Sequence, residues 1–272
     1  MSVKNIFNNK SPLRYPGGKT RACKILDKIF KQNFNLEEIT TLMSPFLGGG
    51  SFEFYLQNKY NFHIIANDKF TPLFVFWKNC KFNKENLCNM LYKEETVTKD
   101  MFMNYRYSIM DEKDELKKAF YYFVINRCSF SGATLSGGFS YNASKKRFTK
   151  SSIDRIKNLD LTKFKIENLD FNNFIDKYSL QDNTLWFLDP PYYLEKGNNL
   201  YGNKGNMHQN FDHAKLFQNI SKIKNWIMTY NDCDFIRNLY KSYKIFNAEW
   251  NYGMNKSKKS SEIVIISLPN KS

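Results

Sequence analysis

Apolar and polar positions follow two different periods along this chain, and the two periods alternate. Short apolar runs predict strands, whereas apolar residues spaced three or four positions apart predict helices. The alternation is clear near the N-terminus and returns after Lys163. It is typical of βαβ units, which build a largely parallel sheet with helices on both faces. Helices are predicted at Lys19–Phe34, Ser51–Asn58, Asn172–Tyr178, His213–Ile223 and Asp234–Tyr240, and strands at Ile39–Phe46, Phe62–Asn67, Phe164–Leu169, Thr184–Leu188, Trp226–Tyr230 and Glu262–Leu268.

The segment from Thr71 to Leu161 breaks this alternation. Asp100–Asn126 predicts one long helix rich in aromatic residues, and the Ser/Gly-rich Ser129–Ser140 that follows predicts a hairpin or loop. A second loop is predicted at Lys196–Asn210, where Gly and Asn are frequent. We therefore expect one α/β domain made of residues 1–70 and 162–272, with a mainly helical insert at residues 71–161.

The motif Asp189-Pro190-Pro191-Tyr192 directly follows the strand predicted at Thr184–Leu188. The Asp189 carboxylate and the Pro190 carbonyl accept hydrogen bonds, and the prolines remove two N–H donors. Two such acceptors suit an exocyclic amino group of a nucleobase, whose lone pair must be freed from the ring before it can be methylated. Tyr192 offers a ring on which that base could stack. The structural alternative is a strand that simply ends in a Pro-Pro turn.

A glycine triplet, Gly48-Gly49-Gly50, lies between a predicted strand and a predicted helix. Glycines let the backbone approach a ligand closely, and the first N–H groups of a helix face that space. Asp68 ends the next strand, where a carboxylate can accept hydrogen bonds from both hydroxyls of a ribose. NAD is a competing ligand, but the spacing is not that of a GxGxxG motif.

The composition points to a polyanionic partner. Formal net charge is +15, from 41 Lys+Arg against 26 Asp+Glu, and 17% of the residues are aromatic. This balance favours nucleic acid, although charge alone does not separate DNA from RNA or from an anionic membrane. Five scattered cysteines without a CxxC pair indicate reduced thiols in a cytoplasmic protein, and we expect no metal site and no membrane span.

Four motifs, taken in order, resemble the DNA adenine methylase family. They are S-P-L-R-Y-P-G-G-K-T at Ser11–Thr20, P-F-L-G-G-G at Pro45–Gly50, Asn67-Asp68, and D-P-P-Y at Asp189–Tyr192. The resemblance implies a Rossmann-like methyltransferase sheet and transfer of methyl from S-adenosylmethionine to N6 of a flipped-out adenine. D-P-P-Y also occurs in cytosine-N4 enzymes. Cytosine-N4 DNA methylation, RNA-adenine methylation and non-catalytic nucleic-acid binding therefore stay open as alternatives.

The resemblance also implies roles for individual residues. Asp189 would lie between the methyl donor and the target amine, Asp170 would hydrogen-bond the cofactor's adenine amino group, and Phe171 would lie beside the adenine ring. A helix N-cap is the alternative for Asp170, the core for Phe171, and a solvated helix terminus for Lys19. The cofactor-binding residues expected on this basis are Tyr15, Lys19, Gly48, Gly50, Asp68, Asp170, Phe171 and Asp189.

One position departs from the family pattern. Ser44 stands before the Pro-Phe of the glycine loop, where the family commonly has an acidic residue that serves the methionyl part of the cofactor. Glu53 lies a turn into the following helix, and the sequence alone does not assign this role to it. The methionyl amino group is therefore expected to be held differently or more weakly here.

The DNA-binding residues are expected in the insert, which the resemblance makes a target-recognition domain. Ile125–Phe139 is similar to the family's target-recognition stretch, so Arg127 would contact a guanine edge or a phosphate; pairing with a helix dipole is the alternative. Lys145, Lys146 and Arg147 are predicted phosphate contacts. We expect a cytoplasmic monomer or weak dimer acting on double-stranded DNA, either beside a cognate restriction endonuclease or alone.

Overall fold

A seven-stranded sheet forms the centre of the protein. The computed structural model describes residues 7–193, 211–251 and 259–267. The predicted loop Lys196–Asn210 therefore lies outside the described residues. The strands are β1 (Thr41–Ser44), β2 (His63–Asn67), β3 (Phe164–Glu167), β4 (Thr184–Leu188), β5 (Trp226–Asn231), β6 (Lys244–Asn251) and β7 (Lys259–Ile266). Their spatial order is β3-β2-β1-β4-β5-β7-β6. The predicted α/β class with a largely parallel sheet is confirmed.

Helices cover the sheet and fill the long connection between β2 and β3. They are α1 (Cys23–Asn33), α2 (Ser51–Tyr60), α3 (Thr71–Phe82), α4 (Lys84–Lys93), α5 (Lys99–Ser108), α6 (Glu115–Cys128), α7 (Tyr141–Arg147), α8 (Lys150–Lys157), α9 (Phe171–Tyr178), α10 (His213–Ile220) and α11 (Asp234–Leu239). Short 3₁₀ turns lie at Lys19–Arg21, Phe130–Gly132 and Thr134–Ser136. In the described ranges, no helix is long and apolar enough to cross a membrane.

The sheet reverses its direction of growth beside β1. The chain runs outward from β1 to β2 and β3, then returns to the other side of β1 as β4. Thr41 of β1 is in parallel register with His63 of β2 and with Thr184 of β4. The carboxyl ends of these parallel strands meet at one edge of the sheet. Such a switch point opens a crevice between the two diverging connections, and ligands of open α/β sheets bind there.

The C-terminal edge of the sheet contains a strand that the sequence pattern did not predict. β6 pairs antiparallel with β7, with Asn247 opposite Ile263, and β7 pairs antiparallel with β5. Among the described side chains of β6, Lys244 and Asn247 are exposed and Ile245 is only half-buried. An edge strand covered on one side needs few apolar residues, so its hydrophobic pattern is weak. Only the tertiary pairing identifies it.

The helical connection differs from the prediction in one respect. The long helix predicted over Asp100–Asn126 is interrupted, and α6 begins anew behind Asp114. The Asp114 carboxylate accepts hydrogen bonds from the N–H groups of Leu116 (2.9 Å) and Lys117 (3.1 Å), which is a helix N-cap. The aromatic pattern continued across this break because both helices bury aromatic faces. An N-cap, rather than a loss of hydrophobicity, ends the apparent long helix.

The helical connection and the sheet share one hydrophobic core. Phe76 of α3 stacks on Phe123 of α6 with ring centroids 5.8 Å apart, and Trp77 of α3 contacts Phe54 of α2 edge-on at 5.6 Å. The core is therefore continuous from α6 through α3 to the helix behind β1. The division into residues 1–70 plus 162–272 and an insert at 71–161 stays a prediction.

The segment after α6 is fastened to the N-terminal segment. Asn126 is fully buried; its Oδ1 accepts from the Arg14 N–H at 2.9 Å and its Nδ2 donates to the Arg14 carbonyl at 2.7 Å. Ser129 and Phe139 form an antiparallel bridge that closes the loop. At Gly132 the loop lies against Arg14 with a φ of +73°, and a Cβ there would lie 2.6 Å from the Arg14 Cβ. Only glycine fits this contact.

Gly132→Ala should therefore destabilise the protein by about 2–4 kcal/mol, because alanine combines left-handed strain with overpacking against Arg14. Gly138→Ala is the matched control: it lies in the same loop, and a Cβ there meets nothing within 4 Å. We expect it to change the free energy of unfolding by no more than about 0.5 kcal/mol. Urea unfolding of both variants measures the difference, and equal losses would contradict the packing described for Gly132.

Candidate active site

A cleft of about 360 Å³ opens at the switch point. Its walls are formed by the residues that follow β1, β2, β3 and β4, by the turn at Tyr15–Lys19, and by Tyr122 of α6 with the loop at Ala133–Leu135. All residues expected to bind cofactor border it, as do Pro190 and Tyr192 of the predicted catalytic set. The fold thus brings together segments that lie far apart in the sequence, such as Lys19 and Asp189, which are 170 positions apart.

The glycine loop forms one wall, and Tyr15 lies across it. Gly48 has a φ of +49°, and a Cβ there would lie 2.8 Å from the Tyr15 ring. The indole N–H of Trp77 donates to the Gly48 carbonyl at 3.0 Å, which fixes the loop from behind. The loop passes so close to Tyr15 that no side chain fits at position 48, which explains the glycine there.

Asp68 lies at the end of β2 and faces the same cleft. Its carboxylate accepts the N–H groups of Gly48 (3.0 Å) and Phe70 (2.9 Å). Burial raises the pKa of Asp68 to about 6, although these two hydrogen bonds act in the opposite direction. Each carboxylate oxygen retains a lone pair beyond the bond it already accepts. Asp68 therefore both shapes the glycine loop and presents acceptors to a ligand.

Asn67 positions the chain segments around the cleft, a role that its sequence motif did not reveal. Its side chain donates to the carbonyls of Pro45 (3.1 Å) and Leu169 (3.0 Å) and accepts from the Leu169 N–H at 2.7 Å. One amide thus ties the chain segments that follow β1 and β3 to the end of β2. This explains why Asn precedes Asp68 in the motif.

Asp170 borders the cleft and is also the N-cap of α9. Its carboxylate accepts the Asn172 N–H at 3.1 Å and pairs with Lys69 at 2.7 Å. Partial burial favours the neutral form, but the bonds from Lys69 and Asn172 outweigh it and lower the pKa of Asp170. Phe171 is buried and packs against Phe211, with centroids 5.1 Å apart, at the cleft wall. Asp170 is therefore a helix N-cap and Phe171 a core residue, and both residues also border the cleft.

Asp189 also borders the cleft, and two hydrogen-bond donors hold its carboxylate. The Lys19 ammonium is 2.8 Å from its carboxylate, and the Thr229 hydroxyl donates to Oδ1 at 2.5 Å. Lys19 is only 3% exposed and also donates to the Tyr192 hydroxyl at 3.0 Å. Lys19 is thus a buried partner of Asp189 rather than a solvated lysine at a helix terminus. Its charge balances that of the carboxylate and fixes the orientation of both motif side chains.

Thr229 is a site residue that the sequence analysis missed. It lies within β5, directly before Tyr230, and is fully buried. Because β4 pairs with β5 in parallel register, with Leu188 opposite Met228, the residue after each partner also comes close. The only signal in the sequence was a hydroxyl among the apolar residues of a predicted strand.

The predicted DNA-binding residues fall into two groups. Lys145, Lys146 and Arg147 are exposed on α7, as phosphate contacts require. Arg127, by contrast, is 6% exposed and donates to the carbonyls of Pro12 (3.2 Å) and Arg147 (2.7 Å). Burial, reinforced by neighbouring arginines, lowers the pKa of Arg127 to about 10. The geometry gives Arg127 a structural role that joins the N-terminal segment, α6 and the end of α7.

Glu53 is the second site residue that sequence reasoning passed over. It lies in the first turn of α2, is 2% exposed and borders the cleft. Its carboxylate accepts a hydrogen bond from the Ser44 hydroxyl at 2.6 Å. Burial raises the pKa of Glu53 to about 7, although the Ser44 bond and Lys19 favour the charged form. Although Glu53 lies within the first turn of α2, it is close to the cleft because α2 starts directly after the glycine loop.

Glu53→Gln should stabilise the protein at alkaline pH. The folded-state pKa is raised above the unfolded value of about 4.5, so wild-type stability falls as the pH rises towards about 7. Glutamine removes this loss, which amounts to about 3 kcal/mol above the folded pKa. Thermal unfolding at about pH 5 and at about pH 8 should show a clearly larger gain for the variant at the higher pH. Exposed Glu37→Gln is the control; a pH-independent effect of Glu53→Gln would contradict the assignment.

Comparison with known proteins agrees with this geometry. The model of the family described as D12 class N6 adenine-specific DNA methyltransferase matches residues 15–254. The chain is also similar to the type II methyltransferase M.MjaIII of Methanocaldococcus jannaschii, with 25% identity over 262 residues that cover 86% of this chain and 88% of that relative. The matched range includes the glycine loop, Asp68 and the motif at Asp189. The chain belongs to the D12 class of N6 adenine-specific DNA methyltransferases.

Proposed function

We propose that this DNA adenine methyltransferase binds S-adenosylmethionine in the cleft and methylates N6 of an adenine that has left the double helix. One observation carries the proposal: the glycine loop, Asp68, Asp170 and the motif at Asp189 all border a single cleft at the switch point. A site that methylates an exocyclic amine needs a nucleoside-binding wall and a pair of hydrogen-bond acceptors close together. Both are present here.

The residues of the cleft fit S-adenosylmethionine better than a dinucleotide. Lys19 is bound to Asp189 and Lys69 to Asp170, while Asp68 and Glu53 add carboxylates to the same walls. Such a wall repels the diphosphate of NAD and attracts a positively charged sulfonium. Asp68 would hold the ribose hydroxyls, and Asp170 and Phe171 would bind the adenine. The bound cofactor supplies a methyl group on a sulfonium, whose C–S bond breaks with its electrons remaining on sulfur.

Asp189 is assigned the central chemical role. Lys19 and Thr229 hold its carboxylate in one orientation, and a lone pair remains for an N–H of the target amine. Together with the Pro190 carbonyl, this acceptor draws the amino nitrogen away from conjugation and aims its lone pair at the methyl group. The amine becomes cationic as the N–C bond forms and then loses a proton to solvent. Preorganised acceptors stabilise that developing positive charge.

Tyr192 is assigned the role of stacking on the target base. Its ring lies beside Asp189, with the Lys19 ammonium 5.2 Å from its centroid and its hydroxyl bonded to Lys19. An adenine paired in a duplex turns its amino group towards thymine, so the base must leave the stack to reach Asp189. Stacking on Tyr192 offsets part of the cost of unpairing.

The DNA backbone is assigned to the exposed basic face of α7, formed by Lys145, Lys146 and Arg147. The net charge of +15 supports a polyanionic substrate. Tyr141, on the same helix, is 64% exposed with Lys145 4.4 Å from its ring, so an aromatic and a cation share this face. The name of the M. jannaschii relative favours the modification half of a restriction–modification pair, with a solitary methylase as the other arrangement.

Asp189→Ala should reduce methyl transfer at least about a hundredfold, because it removes the acceptor that acts on the reacting nitrogen. Asp182→Ala is the matched control, an exposed aspartate just before β4. DNA is incubated with S-[methyl-³H]adenosylmethionine and hydrolysed to nucleosides. Label should appear in N6-methyldeoxyadenosine with the wild type and the control. Wild-type turnover by Asp189→Ala contradicts the mechanism, and absence of label with the wild type contradicts the proposed donor.

Tyr192→Phe should remain active within about tenfold, since the stacking face persists while the bond from Lys19 is lost. Tyr192→Ala should lose about 1–3 kcal/mol of base binding. DNA with 2-aminopurine at the target position reports this directly, because its fluorescence rises when the base unstacks. The signal should follow the order wild type, Phe, Ala. A base that stays quenched in a specific wild-type complex contradicts base flipping.

A further inference from the structure

Of the carboxylates that border the cleft, that of Glu53 has no ligand group of its own in the chemistry described above. Glu53 is 2% exposed, and its carboxylate is fixed by the Ser44 hydroxyl at 2.6 Å. Burial of a carboxylate is costly unless a cation or several hydrogen bonds compensate for it. The cost is therefore expected to be balanced by something that binds in the cleft.

The buried Lys19 ammonium is already engaged by other groups and also lies 4.0 Å from the Glu262 carboxylate. The Lys19 ammonium bonds Asp189, Gly17 and Tyr192, and its influence on Glu53 does not offset burial. Asp189 itself adds negative potential at Glu53. The part of the cleft bordered by Glu53 and Asp189 thus attracts a cation.

The proposed cofactor has three substituents on its sulfur, and two of them are accounted for. The adenosyl part belongs to the wall with Asp68 and Phe171, and the methyl group must face Asp189. The aminoacyl substituent is left for the remaining part of the same cleft, where Glu53 lies. Its α-ammonium is the cationic group that a buried carboxylate would attract.

We propose that Glu53, oriented by Ser44, binds the α-ammonium group of the methyl donor. The inference rests on the proposed use of S-adenosylmethionine. The serine at position 44 donates a hydrogen bond and carries no charge, so the charge in this chain is supplied from the first turn of α2. The position of Glu53 one turn into α2 argued against this role in the sequence, but the folded chain places the residue in the cleft wall.

Two ligands that differ in the aminoacyl part separate this role from general packing. S-adenosylhomocysteine carries the α-ammonium, whereas 5′-methylthioadenosine keeps the adenosine and sulfur and lacks the amino acid. In titration calorimetry, Glu53→Gln should weaken S-adenosylhomocysteine about tenfold or more, the scale of a lost hydrogen bond to a charged group. Its affinity for 5′-methylthioadenosine should stay within about twofold of wild type.

Asp68→Asn is the matched control, since both ligands carry the ribose. It should weaken both by a similar factor. If Glu53→Gln weakens both ligands equally, or leaves S-adenosylhomocysteine unchanged, the inference is wrong. If the wild type binds neither ligand, the proposed cofactor fails, and the role of Glu53 fails with it.

A double variant that moves the carboxylate from position 53 to position 44 gives a test that does not depend on the single substitution. Ser44→Asp combined with Glu53→Gln returns the carboxylate to the end of β1, and the glutamine amide can donate to it. S-adenosylhomocysteine should bind this double variant more tightly than Glu53→Gln alone, with no change for 5′-methylthioadenosine. A double variant as weak as Glu53→Gln would contradict recognition of the ammonium charge in this part of the cleft. Melting temperatures establish that each variant is folded.

Discussion

The parallel pairing of β1 with β4 is the constraint on which the rest of the site depends. These strands are neighbours in the sheet although Thr41 and Thr184 lie far apart in sequence. Their pairing places the glycine loop and the Asp189 motif side by side at the carboxyl edge. It also creates the switch point, because the chain continues from β1 in one direction and enters β4 from the other.

Electrostatics within the cleft follow from this arrangement. Four carboxylates, those of Glu53, Asp68, Asp170 and Asp189, border one small cleft, and each is stabilised differently. Asp189 has an ammonium and a hydroxyl, Asp170 an ion pair with Lys69, and Asp68 two backbone N–H groups. Burial still raises the pKa of Asp68 and Glu53. The cleft therefore costs folding energy that a cationic ligand would recover, a common relation between stability and function.

Hydrogen bonds from the helical connection hold the backbone of the cleft walls in place. Trp77 of α3 holds the Gly48 carbonyl, and Asn126 of α6 holds the backbone at Arg14, next to Tyr15. A segment expected to recognise DNA therefore also fixes two walls of the cleft.

The sequence by itself determined the α/β class, the family and the main residues of the cleft. These depend on local signals: hydrophobic period, a glycine triplet after a strand, and the motif Asp189–Tyr192. The alternation of strands and helices survived in the structure with end shifts of a few residues. Local order is enough here because each motif lies directly at the end of its own strand.

Tertiary structure decided what no local pattern contains. Thr229 contacts Asp189 only because β5 pairs with β4, and Glu53 borders the cleft only because α2 begins behind β1. Arg127 appeared as a DNA contact from its motif, yet packing turned it inward onto the Pro12 and Arg147 carbonyls. The edge strand β6 exists through its pairing with β7. In each case the deciding contact joins different parts of the chain, and only folding brings the two together.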